Sequence, residues 1–218
     1  MKPTIQRFTL VIIILTLFYS SDLIGQKRNY TSTSLEMIFS WADVADDAAS
    51  VNSIMRWAPV LNIQFLYNMD ISDKFGFFTG VDLRNLGYIV KYPKSKKFKF
   101  RTYNLGIPVG IKLGNIRTGF FVYLGGQVEF AFNFKQKEFL DNSKQNKDVY
   151  WFTSRVNVVQ PSAFLGFNFP YGVNLKFKYY FIDLLNRDYQ TYDNSGNLVR
   201  PYASISNSKI FYFSLSFN

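Results

Sequence analysis

The residues that could do chemistry in this chain are bounded first by two absences: its 218 residues include no His and no Cys. Without His, the familiar Ser–His hydrolase design lacks its base, and the commonest metal ligand is missing. Without Cys there is no disulfide framework, no thiolate metal site and no lipid attachment through an N-terminal cysteine. Two sets of residues remain. The carboxylates Glu36, Asp82 and Glu129 could form an acid/base or metal-holding group, and Ser162 could be paired with Lys176 or Lys178 as its base. The basic residues Lys91, Lys94, Lys96, Lys97, Lys99 and Arg101, interleaved with Tyr92, Phe98 and Phe100 and free of any acid, could meet an anion. Each set has a plainer reading. Arg84, Lys112, Lys176 and Lys178 would neutralise the carboxylates in a structural charge network, Ser162 would be one more hydrogen-bonding group, and the basic run would be a solvated loop. The elements that carry these residues decide between the readings.

Period-two alternation supplies those elements. Tyr103, Leu105, Ile107, Val109, Ile111 and Leu113 share one face, and Asn104, Gly106, Pro108, Gly110 and Lys112 share the other. After a break at Gly114–Thr118 the pattern resumes, with Phe120, Val122, Leu124, Val128, Phe130, Phe132 and Phe134 opposite Tyr123, Gly125, Gln127, Glu129, Ala131 and Asn133. This predicts two antiparallel strands joined by a tight turn, each long enough to cross a bilayer at a tilt. The same test places strands at Thr33–Trp41, Trp57–Met69, Phe75–Val90, Val156–Phe169, Val173–Ile182 and Ser208–Asn218, with irregularities expected near Gly87 and at Pro161. Connections alternate between long (Ala42–Arg56, Lys91–Phe98, Lys135–Arg155, Asp183–Asn207) and short (Asp70–Lys74, Gly114–Thr118, Pro170–Gly172). The expected fold is therefore all-β, an eight-stranded antiparallel up-and-down transmembrane β-barrel with both termini on the short-turn, periplasmic side.

Which face points outward follows from size. A soluble barrel of the lipocalin type would turn its apolar face inward. Here that face carries large residues on every strand, more volume than an eight-stranded interior holds. The opposite face carries Gly76, Gly80, Gly106, Gly110, Gly125 and Gly166, together with Glu36, Asp82, Arg84, Lys112, Glu129, Lys176 and Lys178. Small residues and mixed charges suit a narrow lumen, and a lumen of that width does not conduct. Trp57, Tyr67, Tyr103 and Tyr179 near strand ends would form interfacial girdles.

Targeting signals agree with that placement. Lys2 and Arg7 precede an apolar run, Phe8–Tyr19, and then Ser20, Ser21 and Gly25, the layout of a secretory signal peptide. The expected organisation is a signal peptide over 1–25 cut after Gly25, a polar lead-in over 26–32, and a barrel domain over 33–218. A formal charge of +10 calls for anionic company. The lysine-dense loop would meet phosphates of lipopolysaccharide, with Phe98 and Phe100 resting at the interface. The closing Phe-Tyr-Phe-Ser-Leu-Ser-Phe-Asn looks like the C-terminal signal read by barrel-assembly machinery.

With Gly-Val-Asp-Leu-Arg-Asn-Leu-Gly-Tyr at Gly80–Tyr88 and Tyr-Asn-Leu-Gly-Ile-Pro-Val-Gly-Ile-Lys at Tyr103–Lys112, the stretch from Leu35 to Asn218 resembles the PorT-type outer-membrane β-barrel domain family. The resemblance implies a small eight-stranded barrel with no catalytic signature, and its namesake is tied to a protein secretion system. The expected function is a non-enzymatic barrel of the Gram-negative outer membrane, with a structural or interaction role in the envelope. An accessory subunit of a secretion or uptake complex is the alternative, ahead of a lipid-modifying enzyme. Expected partners are outer-membrane lipid including lipopolysaccharide, the assembly machinery and an envelope protein. Neither nucleic acid nor a cofactor is expected.

Overall fold

The computed structural model describes residues 28–217 apart from Asn194, so the expected signal peptide over 1–25 lies outside the described residues. Eight strands form a closed ring: β1 (Arg28–Asp46), β2 (Ile63–Asp70), β3 (Phe75–Lys91), β4 (Lys96–Asn115), β5 (Phe120–Leu140), β6 (Val159–Asn168), β7 (Val173–Tyr180) and β8 (Ile205–Phe217). Each pairs antiparallel with the next, and β8 pairs with β1 from Leu35↔Phe217 to Asp46↔Ile205. Closure pairs the last strand with the first, which is what a sheet surrounded by lipid requires.

Side-chain parity then sorts the surface. Leu35, Phe65, Leu105, Val109, Phe130 and Phe213 stand exposed on the outer wall, Leu35 at 65% and Val109 at 59%, whereas Glu36, Asp82 and Arg84 are each 1% exposed inside. A wall of large exposed apolar side chains around a charged interior is the reverse of a water-soluble barrel and matches one that spans a bilayer. The lumen has three tiers. Tyr88, Phe100, Phe134, Tyr180, Tyr202 and Tyr212 fill the end with long connections, charges fill the middle, and Phe78, Tyr123 and Phe164 cluster toward the short turns. Gly166 lies opposite Tyr123, whose ring occupies the place a Cβ would take, so a large residue and none alternate in the narrow interior.

The strands run further than the alternation predicts. Arg28–Ser32, expected as lead-in, is strand, with Arg28–Leu35 laddered to Ile63–Asp70. Phe75–Lys91 and Lys96–Asn115 leave only a short turn of the expected Lys91–Phe98 loop, with Lys94 (φ 58°) and Ser95 (φ 56°) in the left-handed region. The expected Lys135–Arg155 loop is largely a hairpin: β5 continues to Leu140, Asp141 and Asn142 turn with φ of 48° and 64°, and Ser143–Trp151 returns along β5. Two successive positive φ values match a two-residue type I′ turn. Arg28–Ser32 and the start of the returning strand at Ser143 are polar on both faces and show no hydrophobic period. Lys96–Asn115 instead opens with Phe98 and Phe100 alternating with Lys97, Lys99 and Arg101, in the phase opposite to the lipid-facing belt. Pro161 produces no bulge; it lies just beyond the last β6–β7 pair, Tyr180↔Ser162, where a missing N–H ends the ladder.

The expected strand Trp57–Met69 is broken. Arg56–Ala58 pairs with Ile38–Ser40, Leu61 takes φ 61°, and the ladder to β3 starts only at Ile63↔Leu83. Pairing on that side of β3 resumes at Ile54↔Ile89, through the short strand Asn52–Ile54. The irregularity near Gly87 is thus a gap in the ladder, while the register of β3 with β4 runs past Gly87 unshifted. Side chains stitch the gap. Arg56 Nη1 donates to the Asn85 carbonyl at 3.1 Å, Ser40 Oγ to the Gly87 carbonyl at 2.6 Å, and the Asn85 N–H donates to Asn62 Oδ1 at 2.8 Å.

Candidate functional site

The carboxylates and lysines singled out by sequence meet in the middle tier. Glu36 on β1, Asp82 and Arg84 on β3, Glu129 on β5, and Lys176 and Lys178 on β7 all hold the inward parity of their strands. Arg84 is the hub. Its Nη1 lies 2.5 Å from Glu36 Oε2, its Nη2 2.9 Å from Asp82 Oδ2, and its Nε 3.7 Å from Glu129 Oε1. Lys176 Nζ reaches Glu36 Oε1 at 2.5 Å, and Lys178 Nζ reaches Glu129 Oε1 at 2.5 Å. Neutral side chains complete the coordination: Gln127 donates to Asp82 and accepts from Lys178, each at 2.6 Å, while Tyr180 (2.7 Å) and Asn104 (2.9 Å) donate to Glu129. Three cations face three carboxylates, so the network closes with no net charge. Such a group is tolerated in a dry interior only when every charge is paired and hydrogen-bonded.

Lys112 stands apart from that network. It pairs with Asp70 toward the short-turn end, and also donates to Asn68 Oδ1 and Tyr30 Oη at 3.1 Å each. Asp70, expected in a turn, is the last residue of β2, and its parity with Asn62, Gln64 and Asn68 was the signal that places it inside. Gln64, Gln127, Asn104 and Tyr180 were equally readable as inward by parity, but nothing in the sequence says which charge each one serves. Ser162 Oγ donates to the Gln127 carbonyl at 3.2 Å, and the Nζ atoms of Lys176 and Lys178 are held by carboxylates, so the conceived Ser–Lys pair is not assembled. Among the described residues no three acidic groups converge as a metal site. Beyond Lys112, a cavity of about 250 Å³ opens at the short-turn end between Gln64, Tyr123, Phe164 and Lys176.

The basic residues are not one loop. Lys91 ends β3 opposite Lys97, Lys94 sits at the turn tip, and Lys96 pairs with Glu138 at 2.9 Å. Phe98 and Phe100, expected at the lipid interface, point inward instead. Phe100 stacks on Phe134 and meets Tyr88 and Tyr202, and Phe98 continues the stack. The inward turn of these rings puts Lys97, Lys99 and Arg101 on the outer wall. There β5 adds Lys135 opposite Arg101 and Lys137 opposite Lys99, and the hairpin adds Lys147 opposite Lys137. The ladder gap brings in Arg56. A cavity of about 360 Å³ results, lined by Arg56, Lys99, Arg101, Lys135 and Lys137 over Trp57, Val60 and Ile89. Sequence reasoning missed Arg56, Lys135 and Lys137 because their strands were read as loops.

No family model and no curated protein matches the chain. Among solved structures it is similar to Ail, the attachment invasion locus protein of Yersinia pestis, in complex with the heparin analogue sucrose octasulfate, at 11% identity over 88% of this chain and 97% of that one, with a TM-score of 0.37. It is also similar to the neisserial surface protein A, at 12% identity over 86% and 98% of the two chains, with a TM-score of 0.37. At that level of likeness the fold rests on this chain's own closed ladder.

Proposed function

We propose that this chain is a non-enzymatic barrel of the Gram-negative outer membrane, whose extended outer end offers an interaction surface to the envelope, lipopolysaccharide included. One observation carries the reading: a belt of exposed apolar side chains surrounds a lumen closed by a neutral ion network and aromatic plugs. A barrel so built has an outside fitted to lipid and, among the described residues, an inside whose charges are paired with one another. The cleaved export signal over 1–25, the aromatic C-terminal strand presented to barrel-assembly machinery and the PorT-type resemblance belong to the same proposal.

Topology tests it. Single cysteines at Asn142 and Ser195, on long connections, are expected to react with an impermeant thiol reagent on intact cells. Cysteines at Ser72, Asn115 and Tyr171, on the short turns, are expected to react only after the outer membrane is opened. The reverse pattern would sink the orientation, and recovery in the soluble fraction would sink the membrane reading.

A second reading, an accessory subunit of a secretion or uptake complex, is favoured by the strand Ser143–Trp151. It ladders to β5 along one side only, leaving an edge on which a partner strand could pair. Lys144, Lys147 and Asp148 on that strand argue against open-ended pairing. A stoichiometric protein recovered with the barrel after mild detergent extraction, and lost when Ser143–Trp151 is deleted, would favour this second reading.

A further inference from the structure

We infer that the outer-wall notch around Arg56 is a binding site for the phosphate groups of an outer-leaflet glycolipid. The inference deepens the outer-membrane reading and rests on it for the source of the ligand. The contrast with the lumen carries it. Every lumen cation has a carboxylate partner, yet none of Arg56, Lys99, Arg101, Lys135 and Lys137 has one within ion-pair distance among the described residues. Arg101 faces Lys135 and Lys99 faces Lys137 directly across the β4–β5 ladder. Like charges in opposed positions weaken a sheet pair. Two rungs of this kind on the same face, joined by Lys147 opposite Lys137, are relieved when an anion sits over them.

The notch is also built to hold its charge in place. Arg56 is 8% exposed, and its guanidinium is fixed by the carbonyl and the side-chain oxygen of Asn85, in the ladder gap between β2 and β3. Arg101 and Lys135 both stand over the Tyr103 ring, each 5.3 Å from its centroid, which keeps them at one height along the wall. Trp57 and Val60 form the apolar side of the cavity and are themselves exposed. Cations above and aromatic or aliphatic surface below, on a face turned to the membrane, match an amphiphile whose phosphates lie at head-group height and whose chains run down the wall. Several fixed cations favour a multiply charged phosphate over a single carboxylate.

The test uses the full chain folded in neutral detergent, where barrel orientation in a cell does not matter. The probe is a fluorescent bisphosphorylated lipid A, measured at low and high salt. K99Q/R101Q/K135Q/K137Q is expected to weaken binding by about tenfold or more. K94Q/K144Q/R187Q/K209Q removes the same formal charge from elsewhere on the outer end and is expected to change it by no more than about twofold. Dephosphorylated lipid A of the same acylation is expected to bind the unaltered barrel as weakly as the phosphorylated form binds the site variant. Equal losses in both quadruple variants, or undiminished binding of the dephosphorylated lipid, would overturn the site. Inorganic pyrophosphate displacing the probe at concentrations where lipid A itself does so would overturn the lipid as its ligand. Folding is checked by the heat-dependent gel mobility of the barrel, and if the quadruple site variant does not fold, R101Q/K135Q carries the comparison. Failure here leaves the labelling pattern untouched, and a reversed labelling pattern leaves this binding result standing.

Discussion

Glu129 shows what a single residue contributes to this barrel. Its carboxylate is fully buried and serves Lys178, Tyr180, Asn104 and, at longer range, Arg84. Removing it leaves Lys178 with only the amide oxygen of Gln127, at 2.6 Å. Glu129→Ala is therefore expected to lower unfolding stability by about 3–5 kcal/mol. Glu138→Ala, which breaks only the half-exposed pair with Lys96, should lower it by about 0–1 kcal/mol. Urea midpoints at similar slopes measure both, and equal midpoints would mean Glu129 is hydrated. Replacing both members of the buried pair, as Glu129→Leu with Lys178→Met, is expected to recover part of the loss, because no lone charge then remains in the lumen. At this scale parity made the charges readable: Glu36, Asp82, Arg84, Glu129, Lys176 and Lys178 fall inward by counting alone. Their pairing was not readable, since it depends on which strands face each other across the closed ring. Arg56 was not readable either, because its place depends on a gap in hydrogen bonding that leaves no mark in composition.

Among the elements, the hairpin joining β5 to Ser143–Trp151 depends on its turn geometry. Asp141 and Asn142 hold positive φ, which a β-branched residue tolerates poorly. Asp141→Val with Asn142→Val is expected to fray the hairpin while the ring stays closed. Amide exchange should quicken across Ser143–Trp151 and the facing part of β5 beyond Asn133, with β1–β8 pairing still protected. Uniform loss of protection in both regions would instead make the hairpin part of one cooperative unit with the barrel. The same geometry explains why sequence reading stopped short of these elements. Alternation was legible where the apolar face meets lipid. Above the belt the apolar residues of β4, Phe98 and Phe100, turn inward while Lys97, Lys99 and Arg101 face out, so the outward hydrophobic signature stops while the hydrogen-bond ladder continues.

For the whole molecule, the three tiers of the lumen decide permeability. Among the described residues a neutral knot of ion pairs lies between two aromatic clusters, and eight strands enclose an interior that side chains fill. Purified protein in a planar bilayer is expected to show no stable single-channel steps at any holding potential. Reproducible steps that vanish in a Glu129→Ala background would place a gate in the network. The eight-strand architecture was already legible from turn residues and strand spacing, because barrel geometry repeats along the chain, although the β3–β4 connection expected to be long is a short turn between Lys91 and Lys96.

The seam between β1 and β8 also sets the order of events during biogenesis. Leu35 meets Phe217 at a wide separation in sequence, so the upper half of β1, paired locally only through Ile38–Ser40 with Arg56–Ala58, waits for the last ring strand to fill its other side. Local hairpins such as β4–β5 can form early, but the loop closed by the seam is the longest the chain can make and its closure is intrinsically slow. Until then, the free flanks of β1 and β8 and the whole apolar belt are open to pairing with any other chain. The ring therefore closes only once β8 is available to β1. On the outer-membrane reading proposed above, both free strands would have to be held apart from other chains until they meet.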